Sequence, residues 1–149
     1  LPLTEAELDE KIVQLRYVAT QREVDEIRDG GSFDEKKRRY GAFWERLDPT
    51  PGTPKNEAMV EYFRRVEYAN EKFRSYAAGW LTDMGRIYII YGQPDNVQRD
   101  PFRRDGRAVE VWQYYGQRNL RLTFVDDNGF GDYRLTTPLP MGDKYQYGG

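Results

Sequence analysis

The first 31 residues carry apolar positions at helical spacing. Thr4 and Glu7 form a capping box, in which each side chain binds a backbone N–H group of the other residue at a helix start. Behind this box, apolar side chains recur every three or four residues, at Leu8, Ile12, Leu15 and Ala19. The pattern predicts one helix over residues 5–28. The pair Gly30-Gly31 would end it, because glycine accepts the left-handed cap conformation.

Two further helices are predicted before residue 79. Ser32 and Glu35 form a second capping box, and aromatic positions continue the helical spacing to about Leu47. Three prolines in the next seven residues interrupt the pattern, since proline disfavours helix at its own position and at the preceding one. A third helix is predicted to begin at Pro54, with Thr53 as its cap, and to end near residue 78.

From residue 85 onward the apolar period changes to two. The run 87–91 predicts a largely buried strand, ended by the turn at 92–94. Residues 96–107 read as an arginine-rich loop. Further strands are predicted over 109–115, 120–125 and, after an Asp-Asn-Gly turn signal, 130–135.

These elements predict an α+β fold. Three N-terminal helices are followed by a small antiparallel meander sheet of three to four strands and an extended C-terminal tail, because short connections favour sequential antiparallel neighbours. A small sheet cannot bury its apolar face alone, so the third helix is expected to lie across it. The predicted division is a helical arm at 1–31, an α+β domain at 32–135 and a tail at 136–149.

Composition restricts the chemistry. The chain of 149 residues contains neither histidine nor cysteine, which excludes Ser-His-Asp and Cys-His catalysis and zinc sites built on those ligands. The net charge of -2 argues against a broad nucleic-acid-binding surface, and the basic run 36–39 is predicted to be a solvated face. With Tyr 12, Phe 7 and Trp 3, the aromatic content suits surfaces that are partly core and partly interface.

A specific likeness lies between the helices and the sheet. The pentapeptide Gly79-Trp80-Leu81-Thr82-Asp83 and the following residues 85–95 resemble the GWxTD domain of bacterial proteins. The likeness extends upstream through 48–57 and downstream through Trp112 and 124–133, so that it covers about residues 33–135. It implies a bacterial, usually exported protein from a family whose biochemical activity is not established, and it supplies no catalytic residues.

The order of elements has a looser likeness to the BamE-type lipoproteins of the outer-membrane assembly machinery, which are scaffolding subunits. The predicted strand after Gly85 departs from that family, which has a helix there.

Two groups of residues are candidates for structural or metal-binding roles. The group Gly79, Trp80, Thr82, Asp83 and Trp112 is interpreted as structural: a helix cap, a ring filling the gap between helix and sheet, and turn-stabilising polar groups. Oxygen atoms at spaced loop positions could bind calcium, and the candidates here are Asp126, Asn128 and Asp132. An EF-hand loop starting at Asp126 would need Glu at its twelfth position, where Thr137 stands, so a hairpin turn explains these residues as well.

Two segments are candidates for partner binding. One is the loop containing Phe102, Arg103 and Arg104, because an aromatic ring beside guanidinium groups is typical of an interface anchor. The other is the tail, with Tyr145 and Tyr147, which is expected to dock along a partner.

The predicted function is therefore that of a non-enzymatic structural or interaction subunit. It would dock onto a larger extracytoplasmic protein assembly in a bacterium, either free or membrane-bound, with no cofactor, no nucleic-acid partner and no transmembrane span of its own. One alternative is a periplasmic carboxylate-based domain that binds calcium or a small ligand or acts as a hydrolase. The other is a module of a longer surface protein. The chain begins at Leu1 rather than Met, so it is expected to be a processed or partial product.

Overall fold

The computed structural model describes residues 4–100, 106–116, 119–139 and 142–148. In this part of the chain the helices precede an antiparallel sheet with the strand order β1-β2-β3-β4, which confirms the α+β class. The elements are α1 Glu5–Val13, α2 Gln21–Arg28, α3 Phe33–Arg46, α4 Glu57–Lys72, α5 Asp83–Tyr91, β1 Asn96–Asp100, β2 Ala108–Tyr114, β3 Leu120–Asp126 and β4 Tyr133–Leu135, with 3-10 turns at Gln14–Tyr17 and Gly79–Leu81.

The chain divides into two compact units, each described below by itself. Unit 1 comprises Leu1–Arg64 together with Lys144–Gly149, and unit 2 comprises Arg65–Asp143, so the division falls within α4. The arm predicted at residues 1–31 lies within unit 1.

The single helix predicted over residues 5–28 is wrong in detail, because a 3-10 turn separates α1 from α2. The reason is a capping box that the apolar pattern concealed. The Thr20 hydroxyl accepts from the Glu23 N–H (3.1 Å), and the Glu23 carboxylate accepts from the Thr20 N–H (2.8 Å). A capped start at Thr20 ends the preceding helix, and the apolar residues on both sides still reach one core.

The core of unit 1 is aromatic and is centred on Tyr62, which is fully buried. Its hydroxyl donates to the Gln14 carbonyl and accepts from the Tyr17 N–H. The ring lies 5.6 Å from Trp44 and 5.1 Å from Tyr145, measured between centroids. Unit 1 therefore joins the 3-10 turn, α3, α4 and the C-terminal segment around one hydrogen-bonded tyrosine.

The basic run 36–39 is not a uniformly solvated face. Lys36 is buried, and its ammonium lies 2.6 Å from the Glu5 carboxylate and 2.8 Å from that of Asp9. These two carboxylates raise the pKa of Lys36. The side chain thus ties α3 to α1, which spacing along one helix could not reveal.

Residues 87–91, predicted to be a strand, form the second half of α5 instead. A short run of apolar residues has no polar positions to distinguish a period of two from one of 3.6. The N-cap decides the outcome, since the Thr82 hydroxyl accepts from the Gly85 N–H at 3.0 Å. The BamE-type family also has a helix at this position, so the two orders of elements no longer differ here. The likeness to that family stays a prediction.

The sheet packs one face against α5 and the end of α4. In unit 2 the Tyr68 ring stacks on Tyr88 at 4.3 Å, and Phe73 lies 5.7 Å from Trp112. The buried residues of this core are Met84, Ile87, Tyr88, Trp112, Tyr114, Leu122 and Phe124. Strand β1 lies in the segment that was predicted to be a loop; its polar residues are compatible with a strand because it pairs only with β2, at an edge of the sheet.

Candidate functional site

The chain turns at Gly79–Asp83 through a junction so tight that it requires glycine. A Cβ atom on Gly79 would lie 1.8 Å from the Ala69 carbonyl oxygen of α4. One on Gly85 would lie 1.9 Å from the carbonyl oxygen of Gly79. Any larger residue at either position would force backbone segments apart.

Trp80 and Thr82 fix this turn from both sides. The Trp80 N–H donates to the Asn70 side-chain oxygen of α4 at 2.9 Å, and its ring is buried. The Thr82 hydroxyl donates to the Gly79 carbonyl at 2.7 Å while it accepts from the Gly85 N–H. One hydroxyl thus closes the 3-10 turn and begins α5.

Asp83 connects the same turn to the sheet. Its carboxylate accepts from the backbone N–H of Leu135 at 2.8 Å, and Arg86 lies 3.9 Å away. Leu135 belongs to β4, an edge strand, and this N–H bonds to Asp83 rather than to β3. The carboxylate therefore occupies a backbone donor that an open edge would offer to another strand.

A cleft of about 240 Å³ lies beside the motif, within unit 2. Its walls come from the end of α4, the start of α5 and three strands, and the charged residues among them are Lys72, Arg74, Arg99, Glu110 and Asp132. The Glu110 carboxylate is largely buried there, and it accepts from the Trp112 indole N–H at 3.0 Å. Burial, and secondarily the charges of Glu110 and Asp126, raise the pKa of the neighbouring Tyr133.

The calcium candidates have other partners. The two oxygens of Asp126 accept from the N–H groups of Gly129 (3.0 Å) and Gly131 (2.9 Å). The Asn128 side chain accepts from the Phe130 N–H, and the Asp132 carboxylate accepts from the guanidinium of Arg134. Across the described ranges, no group of three or more His, Cys, Asp or Glu side chains could hold a metal ion.

The partner-binding candidates are placed differently from one another. Phe102, Arg103 and Arg104 lie outside the described residues. Tyr145 is buried within unit 1, where its backbone N–H donates to the Tyr17 carbonyl, so this part of the tail packs on its own chain rather than extending. Tyr147 is about half exposed.

Sequence reasoning overlooked other exposed rings. In unit 2, Tyr76, Tyr115 and Phe130 have relative exposures of 76%, 61% and 75%. Phe130 follows the turn signal at 126–129, where an apolar residue has no periodic partner along the chain. A large apolar ring in an otherwise polar turn is the sequence feature that could have indicated the exposure of Phe130.

Comparison with known proteins identifies the family. No curated protein and no solved structure matches the chain. In the part of the chain that the structure describes, no helix is both long and apolar enough to span a membrane. The family model of the GWxTD domain matches residues 4–137, a range that includes α1 and α2 as well as the segment that carries the motifs. The chain therefore belongs to the GWxTD domain family.

Proposed function

We propose that this chain is a non-enzymatic interaction module that docks onto a larger extracytoplasmic protein assembly in a bacterium. The observation that carries the proposal is the exposure of large rings at Tyr76, Tyr115 and Phe130 in unit 2. Aromatic side chains are enriched at protein interfaces, because each ring contributes much contact area for few rotatable bonds.

The partners of the motif's polar groups also favour docking over catalysis. The Thr82 hydroxyl holds two backbone groups, and the Asp83 carboxylate holds the N–H of a strand. A general base has to be within hydrogen-bonding distance of a substrate proton. These groups have their own structural partners, so the motif serves as a brace between α4, α5 and β4.

The extracytoplasmic location rests on family membership, because the resemblance implies bacterial proteins that are usually exported. The same reasoning supports a partner in the envelope, which can be membrane-bound although this chain supplies no membrane-spanning helix among its described residues.

Crosslinking mass spectrometry in the native envelope fraction tests the proposal. We expect reproducible crosslinks from Lys72, an exposed lysine of unit 2, to one protein complex. The double substitution Tyr76→Ser and Phe130→Ser should reduce them strongly, since it removes two exposed rings. Val60→Ser is the matched control, because Val60 is an exposed apolar residue of unit 1.

Two results would contradict the proposal. One is recovery of the protein only as an uncrosslinked monomer. The other is equal loss of crosslinks in the control and in the double variant. A rise in the unfolding temperature on adding calcium or glycans would instead favour the ligand-binding alternative, because a ligand that binds only the folded state stabilises it.

A further inference from the structure

The two edges of the sheet differ in how their backbone groups are used. At β4, the Leu135 N–H is bound by Asp83. At β1, residues Asn96–Arg99 form backbone hydrogen bonds only with β2, as far as the described residues show. Four of the five β1 residues are exposed, and Val97 is half-buried. An edge strand presents backbone donors and acceptors to any extended chain beside it, and β1, with 5 residues against 3 in β4, is the longer edge at which an added strand can pair.

The faces of β1 define what an added strand would meet. The register sets Val97 opposite Trp112 and Arg99 opposite Glu110, which places both β1 residues on the face that packs against α5. Asn96, Gln98 and Asp100 lie on the other face, because successive side chains alternate. A neighbouring strand would therefore need one side chain beside Val97 and another, two residues along, beside Arg99.

The charges that line the cleft determine which kind of side chain suits the position beside Arg99. The two carboxylates of the cleft already have partners. Glu110 contacts the Trp112 indole N–H and the Arg99 guanidinium, and Asp132 contacts the Arg134 guanidinium. The cations at the C-terminal end of α4 have fewer carboxylate partners. Lys72 is exposed, with its closest carboxylate 4.0 Å away, and Arg74 has no ion-pair partner among the described residues. An acidic side chain beside Arg99 would face Lys72 and Arg74 as well.

We propose that β1 binds an extended acidic segment of a partner protein as a fifth strand, with an apolar side chain beside Val97 and a Glu or Asp side chain beside Arg99. The segment's backbone supplies hydrogen bonds to β1, and its carboxylate lies in the cleft with Lys72, Arg74 and Arg99. This inference rests on the proposed docking function and adds one binding position, at β1, with the chemistry of the partner segment that binds there.

A second copy of this chain fits the same edge less well. Antiparallel pairing of two β1 strands centred on Gln98 would set Arg99 of each copy opposite Val97 of the other. Neither guanidinium would gain a carboxylate on that face, and no acidic group would enter the cleft. The charge pattern therefore favours a different, acidic chain.

Synthetic peptides test the inference directly. The probe is the capped heptapeptide Thr-Val-Thr-Glu-Thr-Val-Thr, with Lys replacing Glu in one control and alternate N-methylation blocking backbone donation in the other. Binding is measured by fluorescence anisotropy at low salt, and slowed amide hydrogen exchange at residues 96–99 locates it. We expect the Glu peptide to bind about tenfold more tightly than the Lys peptide, and the N-methylated peptide not to bind.

Substitutions on the protein complete the test. Lys72→Glu combined with Arg74→Glu should reverse the peptide preference, because both side chains are exposed and both line the cleft. Arg121→Glu is the matched control: Arg121 is an exposed cation of the same sheet, opposite Gln113 and on the face away from the cleft. It should leave the preference unchanged. In the unsubstituted protein, raising the ionic strength should reduce the difference in affinity between the Glu peptide and the Lys peptide.

Three outcomes would overturn the inference: equal binding of the Glu and Lys peptides, no change in exchange at 96–99, or protection of these amides that grows with protein concentration when no peptide is present. The last would assign the edge to a second copy. If native crosslinks to a partner persist while the peptides fail, only the β1 site is refuted. If no partner crosslinks form, the docking function itself fails, whatever the peptides show.

Discussion

Replacement of Tyr145 tests whether the C-terminal segment is an integral part of unit 1. The Tyr145 side chain is buried, its ring lies 5.1 Å from that of Tyr62, and its hydroxyl donates to the Ala58 carbonyl at 2.9 Å. Truncating a buried aromatic residue to alanine costs about 3–5 kcal/mol, through lost burial and the remaining cavity. Tyr145→Phe keeps the ring and removes only this hydrogen bond. The Ala58 carbonyl keeps its bond within α4, so we expect a smaller loss of about 0.5–1.5 kcal/mol.

Urea unfolding followed by near-UV circular dichroism measures these losses in the full chain. For a chain of this size, 1 kcal/mol shifts the unfolding temperature by roughly 2–4 °C, so Tyr145→Ala should lower it by roughly 6–20 °C. Tyr147→Ala is the control, because Tyr147 is about half exposed, and exposed sites typically change stability by less than about 0.5 kcal/mol. Equal effects of the two alanine variants would refute the packing of the tail into unit 1.

The remaining predictions concern the motif and one ion pair. Gly79→Ala should abolish soluble, folded protein, because the added Cβ would overlap a backbone carbonyl of α4. Gly116→Ala is the control and should express normally, because the space around Gly116 is open. Equal yields of the two variants would contradict the close backbone contact at Gly79. Asp83→Asn keeps an oxygen that accepts from the Leu135 N–H but loses its charge, so it should cost about 0.5–1.5 kcal/mol and should speed hydrogen exchange at the Leu135 amide. Unchanged exchange at that amide would refute the role of Asp83 at the edge. The two arginines one turn along α3 lower the pKa of Glu35 from 4.5 to about 2. The stabilising contribution of Glu35 is therefore fully present above pH 4.5 and is lost as the pH falls toward 2. An NMR titration of the Glu35 carboxyl group checks this pKa, and a midpoint near 4.5 would contradict it.

Local chemistry made part of this fold predictable. Thr4 and Ser32 begin helices as expected, because a cap needs only residues within one turn. Only Thr4 completes the predicted capping box, since the Glu35 carboxylate binds Arg38 and Arg39 instead of the Ser32 N–H. Strands β2 and β3 were placed to within one residue, because alternation along a strand directly reports one buried face. The family resemblance was also readable, since its motifs are contiguous in the sequence and the family model matches them.

Other elements depended on packing that the local pattern does not encode. The run 87–91 could have formed a strand or a helix, and Thr82 together with burial on both sides selected the helix. Strand β1 has almost no apolar content, and its strand state comes from the backbone pairing that β2 offers.

The candidate site shows the same division most clearly. The sequence alone determined that Gly79, Thr82 and Asp83 stand in one short motif, and that neither histidine nor cysteine is available for chemistry. Only the tertiary structure decided the partners: Gly79 meets the α4 backbone, and Asp83 meets Leu135, 52 residues further along the chain. The physical reason is that hydrogen bonding and steric overlap act over a few ångströms in space, so the role of a side chain is set by whichever segments the fold brings beside it.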